Sequence, residues 1–166
     1  MNDTPLRLNA LLERLVEADV RYVLIGGLAV GAWGYVRGTK DLDVVPDPAA
    51  ENLEKLAALL RELDGKVEVE DGLLTADAIS IFLRTGDRTL VATELGPIDV
   101  LQGMPQIPSF AILDAEATDV EINGLRVRVC SLEHLLEMKR ASERPRDRDD
   151  LEALEAAQAD DDTSEG

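Results

Sequence analysis

Histidine and cysteine each occur once in 166 residues, and the aromatic residues together make up only 3%. A single cysteine, Cys130, excludes an internal disulfide, and its place at the end of an apolar run marks it as a small core residue. The lone histidine, His134, falls in the first turn of a predicted helix and has no partner pattern for metal or nucleophile chemistry. With so few rings, the core has to be built from Leu, Val, Ile and Ala. No apolar run reaches the length of a membrane span, and the N-terminus shows no basic-then-apolar leader. A cytoplasmic protein with no membrane partner is the expectation. Positive charge is scarce as well: 17 Lys and Arg stand against 34 Asp and Glu, a formal net of −17. Such a field repels polyanions, so extensive nucleic-acid binding is not expected. The exception is "KRASERPRDR", residues 139–148, where Lys139, Arg140, Arg144, Arg146 and Arg148 face only Glu143 and Asp147. A solvated helix end explains that island equally well.

What is present points to one folded domain. Hydrophobic residues reach 45%, enough for a core in a chain of this length. Residues 1–158 are read as a single domain and 159–166 as an acidic, disordered tail. Thr4-Pro5 signals a helix start, with Leu8, Leu11, Leu12, Leu15 and Val16 at helical spacing up to about Ala18. "RYVLI" reads as a buried strand, "LAVGAWG" as a short helix of small residues, and "DLDVV" as the next strand. Asp47-Pro48 introduces a third helix over "AAENLEKLAALLREL", against which Trp33 is expected to pack. Thr75 is placed as the cap of a short helix through Phe82. "RTLVATE" and "IDVLQG" read as strands joined at Leu95-Gly96-Pro97, and Asn123-Gly124 as a hairpin turn. Ser131 caps "LEHLLEMKRA", and a last helix follows Pro145. The fold class is α/β (α+β), a mixed β-sheet with helices packed mainly on one side.

The feature that asks for chemistry is Asp-Leu-Asp in an apolar strand. Residues i and i+2 of a strand share a face, so Asp41 and Asp43 are neighbours roughly 7 Å apart along the backbone. Hard divalent cations take oxygen ligands and are commonly held by one or two carboxylates together with substrate phosphates. Asp99, between Ile98 and Val100, is the candidate third carboxylate, again an acid in a buried-looking strand. In a chain this acidic, Asp-x-Asp alone fits a solvated strand face just as well. Val44 and Val45 tip the balance, since the strand then runs under cover. Upstream, Gly26-Gly27 lies between a strand and a helix, where backbone N–H groups can approach a phosphate unobstructed. Arg37 and Thr39, just before the acids, are placed to orient phosphate or the strand itself.

"GGLAVGAWGYVRGTKDLDVV" resembles the signature of the nucleotidyltransferase (polymerase-beta-like) superfamily: a Gly-Gly or Gly-Ser turn, a short helix, then Asp-x-Asp on the following strand. The form "R-x-T-x-D-x-D", with "SLEHLLEMKRASERPRDRDDLEAL" downstream, looks most like the compact bacterial AbiEii-type branch, which includes toxins of toxin–antitoxin pairs. The resemblance spans roughly residues 20–155. It implies Mg²⁺-dependent (or Mn²⁺-dependent) transfer of a nucleotidyl group from an NTP, ATP among them, to an acceptor hydroxyl on RNA, a protein or a small molecule. By that resemblance Gly26 and Gly27 hold the triphosphate, Asp41, Asp43 and Asp99 bind metal, and Asp99 is also the base. Lys139 would contact phosphate or nucleotide. Asp147 would sit near the site, with Asp150 the alternative at that pattern, where it would cap or pair. A cognate antitoxin or a second copy is the implied partner. Many relatives carry Ser where Gly27 stands, so one side-chain phosphate contact is missing. The competing reading is a catalytically weak or inactive nucleotide- or partner-binding module of the same fold.

Overall fold

The computed structural model describes residues 4–34 and 38–164, with the side chains of 162–164 left aside. Eight strands form one mixed sheet: β1 (Tyr22–Ile25), β2 (Leu42–Pro46), β3 (Lys66–Val69), β4 (Gly72–Leu74), β5 (Thr89–Thr93), β6 (Gly96–Val100), β7 (Thr118–Ile122) and β8 (Leu125–Val129). Among the described residues seven helices accompany them: α1 (Leu8–Glu17), α2 (Gly26–Ala32), α3 (Ala50–Glu62), α4 (Asp77–Thr85), α5 (Phe110–Glu116), α6 (Leu132–Arg140) and α7 (Pro145–Ser164). The strand order is β4-β3-β5-β6-β2-β1-β8-β7. β1 runs antiparallel to β2 and parallel to β8, while β2 runs parallel to β6. The α/β expectation for the fold class holds.

The core is aliphatic, as the scarcity of rings requires. Leu11, Leu12 and Leu15 of α1 and Leu56 and Leu60 of α3 are fully buried, together with Val23, Leu24, Leu42, Ile98 and Val100 of the central strands. Each such side chain contributes about 1.5–3 kcal/mol relative to exposure. Cys130 is buried among them, and burial pushes its thiol up to about 12.

Local signals explain most boundaries. Ser131 Oγ accepts from His134 N at 3.0 Å, as expected for a cap. Asn123 and Gly124 both take positive φ, which lets a two-residue turn follow the strand twist between β7 and β8. Asp47 closes its turn by accepting from Ala49 N at 3.0 Å, and α3 begins one residue later.

Several elements differ from expectation. Thr4-Pro5 does not open a helix; residues 4–7 stay outside α1, and Arg7 N donates to Leu95 O in the β5–β6 turn at 2.8 Å. The β3–β4 hairpin and α5 were not among the expected elements, although Asp71-Gly72 and Ser109 carry the signals for them. The fourth helix has its N-cap at Ala76, one residue after the expected cap Thr75, and runs past Phe82 to Thr85. Finally, α7 continues through Ser164, so residues 159–164 are helical where composition pointed to a disordered tail. Trp33, expected against the third helix, donates its indole N–H to Cys130 O at 2.9 Å, at the end of β8.

Candidate active site

The parallel β2–β6 pairing sets the site. Its register places Asp43 directly beside Asp99, and Leu42 beside Ile98. Adjacent strands lie about 4.8 Å apart, and aligned residues point to the same face, so the two carboxylates are forced together by the backbone. Asp41 precedes β2 and adds a third negative charge. Burial, then the charges of Asp99 and Asp41, push the Asp43 carboxyl up to about 7, with Lys139 and Arg144 pulling the other way. Burial and Asp99 also raise Asp41, against the opposing charges of Arg88, Lys40 and Arg146.

Gly26 explains how β1 reaches this cluster. Ile25 pairs with Asp43, and the chain turns immediately into α2 with Gly26 at φ +73. A Cβ at Gly26 would lie 2.0 Å from Asp43 Oδ2, so this glycine makes room for the carboxylate as well as for the turn. Gly27 follows, buried in the first turn of α2, and among the described residues no side-chain cap bond closes the start of that helix.

Among the described residues, Arg88 is the cation bound to the cluster. Its Nε donates to Asp99 Oδ1 at 3.0 Å and Oδ2 at 3.2 Å, and its Nη2 donates to Oδ2 at 2.8 Å. The motif reading missed this residue, although a signal exists. In the β5–β6 hairpin Leu90 faces Asp99, which puts Arg88, two residues away, at the diagonal position on the same face.

Lys139 is engaged elsewhere. Its ammonium donates to Asp147 at 2.6 Å and lies 3.0 Å from Asp150, with all three residues buried. Ser142 Oγ and Arg144 Nε, the latter at 3.0 Å, also donate to Asp147. Burial raises the Asp147 carboxyl, but the bonds from Lys139, Ser142 and Arg144 outweigh it and hold it at about 2. Two of the lysine's three donors are therefore committed to tying α6 to α7, and its charge is still felt at Asp43.

Of the other expected residues, Thr39 Oγ1 donates to Asp41 O at 3.0 Å, steadying the approach to β2. Arg37 lies outside the described residues. In the basic island, Arg146 donates to Gly38 O at 2.7 Å and so binds the start of α7 to that same approach. Arg140 pairs with Glu155 at 3.3 Å.

A family model described as "Nucleotidyl transferase of unknown function (DUF2204)" matches residues 4–164. The chain belongs to this nucleotidyl transferase family. No curated protein sequence gives a significant match. Among solved structures, the fold is similar to that of the lincosamide antibiotic adenylyltransferase LnuA bound to lincomycin, at 19% identity and TM-score 0.66, over 95% of this chain and 99% of that one. An antigenic nucleotidyltransferase-like protein from Paracoccidioides brasiliensis matches at 21% identity and TM-score 0.61, over 93% and 77% of the two chains. ANT(2″)-Ia in complex with adenylyl-2″-tobramycin matches at 16% identity and TM-score 0.55, over 96% and 97%. These likenesses establish the nucleotidyltransferase fold.

The carboxylates suit a hard divalent cation by donor type, since all are oxygen ligands, and by charge, since burial and then the neighbouring acids raise Asp43. Among the described residues, no three His, Cys, Asp or Glu side chains are gathered closely enough to hold a metal ion as they stand. Asp99 is instead turned onto Arg88. In this nucleotidyl transferase the acids thus form an open, negatively charged cluster at the β2–β6 edge of α2.

Proposed function

We propose that this chain is a metal-dependent nucleotidyltransferase that moves an NMP from an NTP onto the hydroxyl of a small, cationic acceptor. The observation that carries the reading is the in-register placement of Asp43 beside Asp99, with Asp41 adding its charge. Asp41, Asp43 and Asp99 would hold Mg²⁺ or Mn²⁺, which supplies charge neutralisation at the phosphate oxygens and orientation of the reacting groups. Asp99 takes the proton of the acceptor hydroxyl as its oxygen bonds to the α-phosphorus and pyrophosphate departs. Gly26 and Gly27 offer uncapped backbone N–H groups to the triphosphate, a contact that needs no serine at position 27.

The acceptor class rests on two supports. The net charge of −17 favours a cation. The lincosamide adenylyltransferase and the adenylyl-tobramycin complex, matched over nearly their whole lengths, are named for acting on antibiotics. The motif resemblance to the AbiEii-type branch supports a second arm, in which the acceptor is RNA or protein and a cognate antitoxin restrains the enzyme. A module that binds nucleotide without turnover is the remaining alternative.

The test is thermal stabilisation by ATP, GTP, CTP and UTP, each with and without Mg²⁺. Saturation at about 100 times Kd stabilises by roughly 2.7 kcal/mol. At least one NTP should raise Tm only when Mg²⁺ is present. No shift under any combination contradicts the reading, and a Mg²⁺-dependent shift without transfer to any acceptor identifies the non-catalytic module.

A further inference from the structure

Among the described residues, Arg88 is the only cation hydrogen-bonded to any of the three clustered carboxylates, and it engages both oxygens of Asp99. Asp99 is 5% exposed on a strand flanked by two others, so its carboxylate has little freedom. The Arg88 side chain is 53% exposed, and its bonds to Asp99 are the only ones described for it. If the pair separates, the arginine is the partner that moves. The other cations whose charge reaches the cluster, Lys40, Arg146, Lys139 and Arg144, act on Asp41 or Asp43 without a direct bond.

We propose that Arg88 is a resident counter-ion that competes with the divalent cation for Asp99, so that cation loading requires the guanidinium to let go. The inference rests on the metal-binding reading of Asp41, Asp43 and Asp99 given above. A forked guanidinium already occupies lone pairs on both oxygens that a cation would use. It also sets a positive charge where a second one must arrive. A nucleotide changes the balance, because its phosphates give the freed guanidinium a new anionic partner. Cation and nucleotide then assist each other's binding, with the arginine as the switch between them. Arg88 is thus a positioning residue that keeps the nucleotide-free site from filling with metal alone.

The experiment is Mn²⁺ binding to the full chain, followed by electron paramagnetic resonance of free Mn²⁺, with and without the nucleotide found by thermal shift. Replacing Arg88 by Gln should tighten nucleotide-free Mn²⁺ binding about 10-fold, the order of one lost charge-assisted bond. The same variant should reduce the gain in affinity that nucleotide brings. Arg88→Lys, which keeps the charge but loses the fork, should fall between wild type and Arg88→Gln, and it serves where the Gln variant does not fold. Lys40→Gln removes a nearby charge with no bond to Asp99 and should shift affinity by less than about 3-fold. Equal tightening by Lys40→Gln and Arg88→Gln means a general charge effect and overturns the inference. So does unchanged binding in Arg88→Gln. If wild type binds Mn²⁺, Asp43→Asn does not, and Arg88→Gln equals wild type, the metal reading stands and the role of Arg88 alone fails. No binding by wild type and Arg88→Gln overturns both.

Discussion

Two groups of acids lie within electrostatic reach of each other and are treated oppositely by the fold. Between α6 and α7, Asp147 and Asp150 are buried but answered by Lys139 and, at Asp147, by Ser142 and Arg144 as well. At the β2–β6 pairing, Asp41, Asp43 and Asp99 share a single bonded cation among the described residues, and burial and repulsion push the Asp43 carboxyl up to about 7. The first group is satisfied from within the chain and serves to join two helices. The second is left with unbalanced negative charge, which is the condition expected of a site that waits for a ligand. The difference sets the two groups apart without reference to motif, and it is what the proposed role of the second group calls for.

If that contrast is right, removing one charge should have opposite signs in the two regions. Lys139→Met leaves two buried carboxylates facing each other and should cost about 3–5 kcal/mol of stability, read from urea unfolding. Gly26→Ala should come next. It puts an L-residue at φ +73 and its Cβ onto the Asp43 carboxylate, a loss of about 1–3 kcal/mol in the same assay with Mg²⁺-dependent nucleotide binding weakened as well. Asp43→Asn should stabilise the metal-free protein by roughly 1 kcal/mol, since it relieves like-charge repulsion, while abolishing transfer. A destabilised Asp43→Asn would place Asp43 with the structural acids.

The pH dependence sharpens the same comparison in metal-free protein. The Asp43 carboxyl is raised from 3.8 to about 7, so between pH 4 and 7 the folded state binds the extra proton. Stability should therefore rise as pH falls through that window. Asp147 is lowered to about 2, so its contribution is present above pH 4 and lost as pH falls from 4 towards 2. Unfolding free energy measured across this range should pass through a maximum near pH 4. Asp43→Asn should flatten the upper limb and Asp147→Asn the lower one.

Much of the acid cluster was legible in the sequence because it is written in local signals. The period-2 spacing of Asp41 and Asp43, the strand context of Asp99 and the glycines at the strand-to-helix turn each need only neighbours to be read. Ser131 and Asn123-Gly124 were legible for the same reason. What was not legible depends on strand order and helix packing. That β2 lies beside β6 follows from the sheet's crossover, and only that adjacency sets Asp43 against Asp99. The partner of Lys139 depends on how α7 returns across α6, which put the lysine in an ion network where charge alone pointed to phosphate. Thr4-Pro5 failed because a tertiary contact, Arg7 N to Leu95 O, outcompeted a local helix start.

The most direct test of the account is transfer of label from an α-phosphorus-labelled NTP in the presence of Mg²⁺. Wild type and Asp43→Asn would be compared on hydroxylated cationic small molecules, on RNA and on protein. The account predicts label on a small-molecule hydroxyl with wild type, none without Mg²⁺, and none with Asp43→Asn. Label transferred equally by Asp43→Asn, or transfer indifferent to the divalent cation, would contradict it.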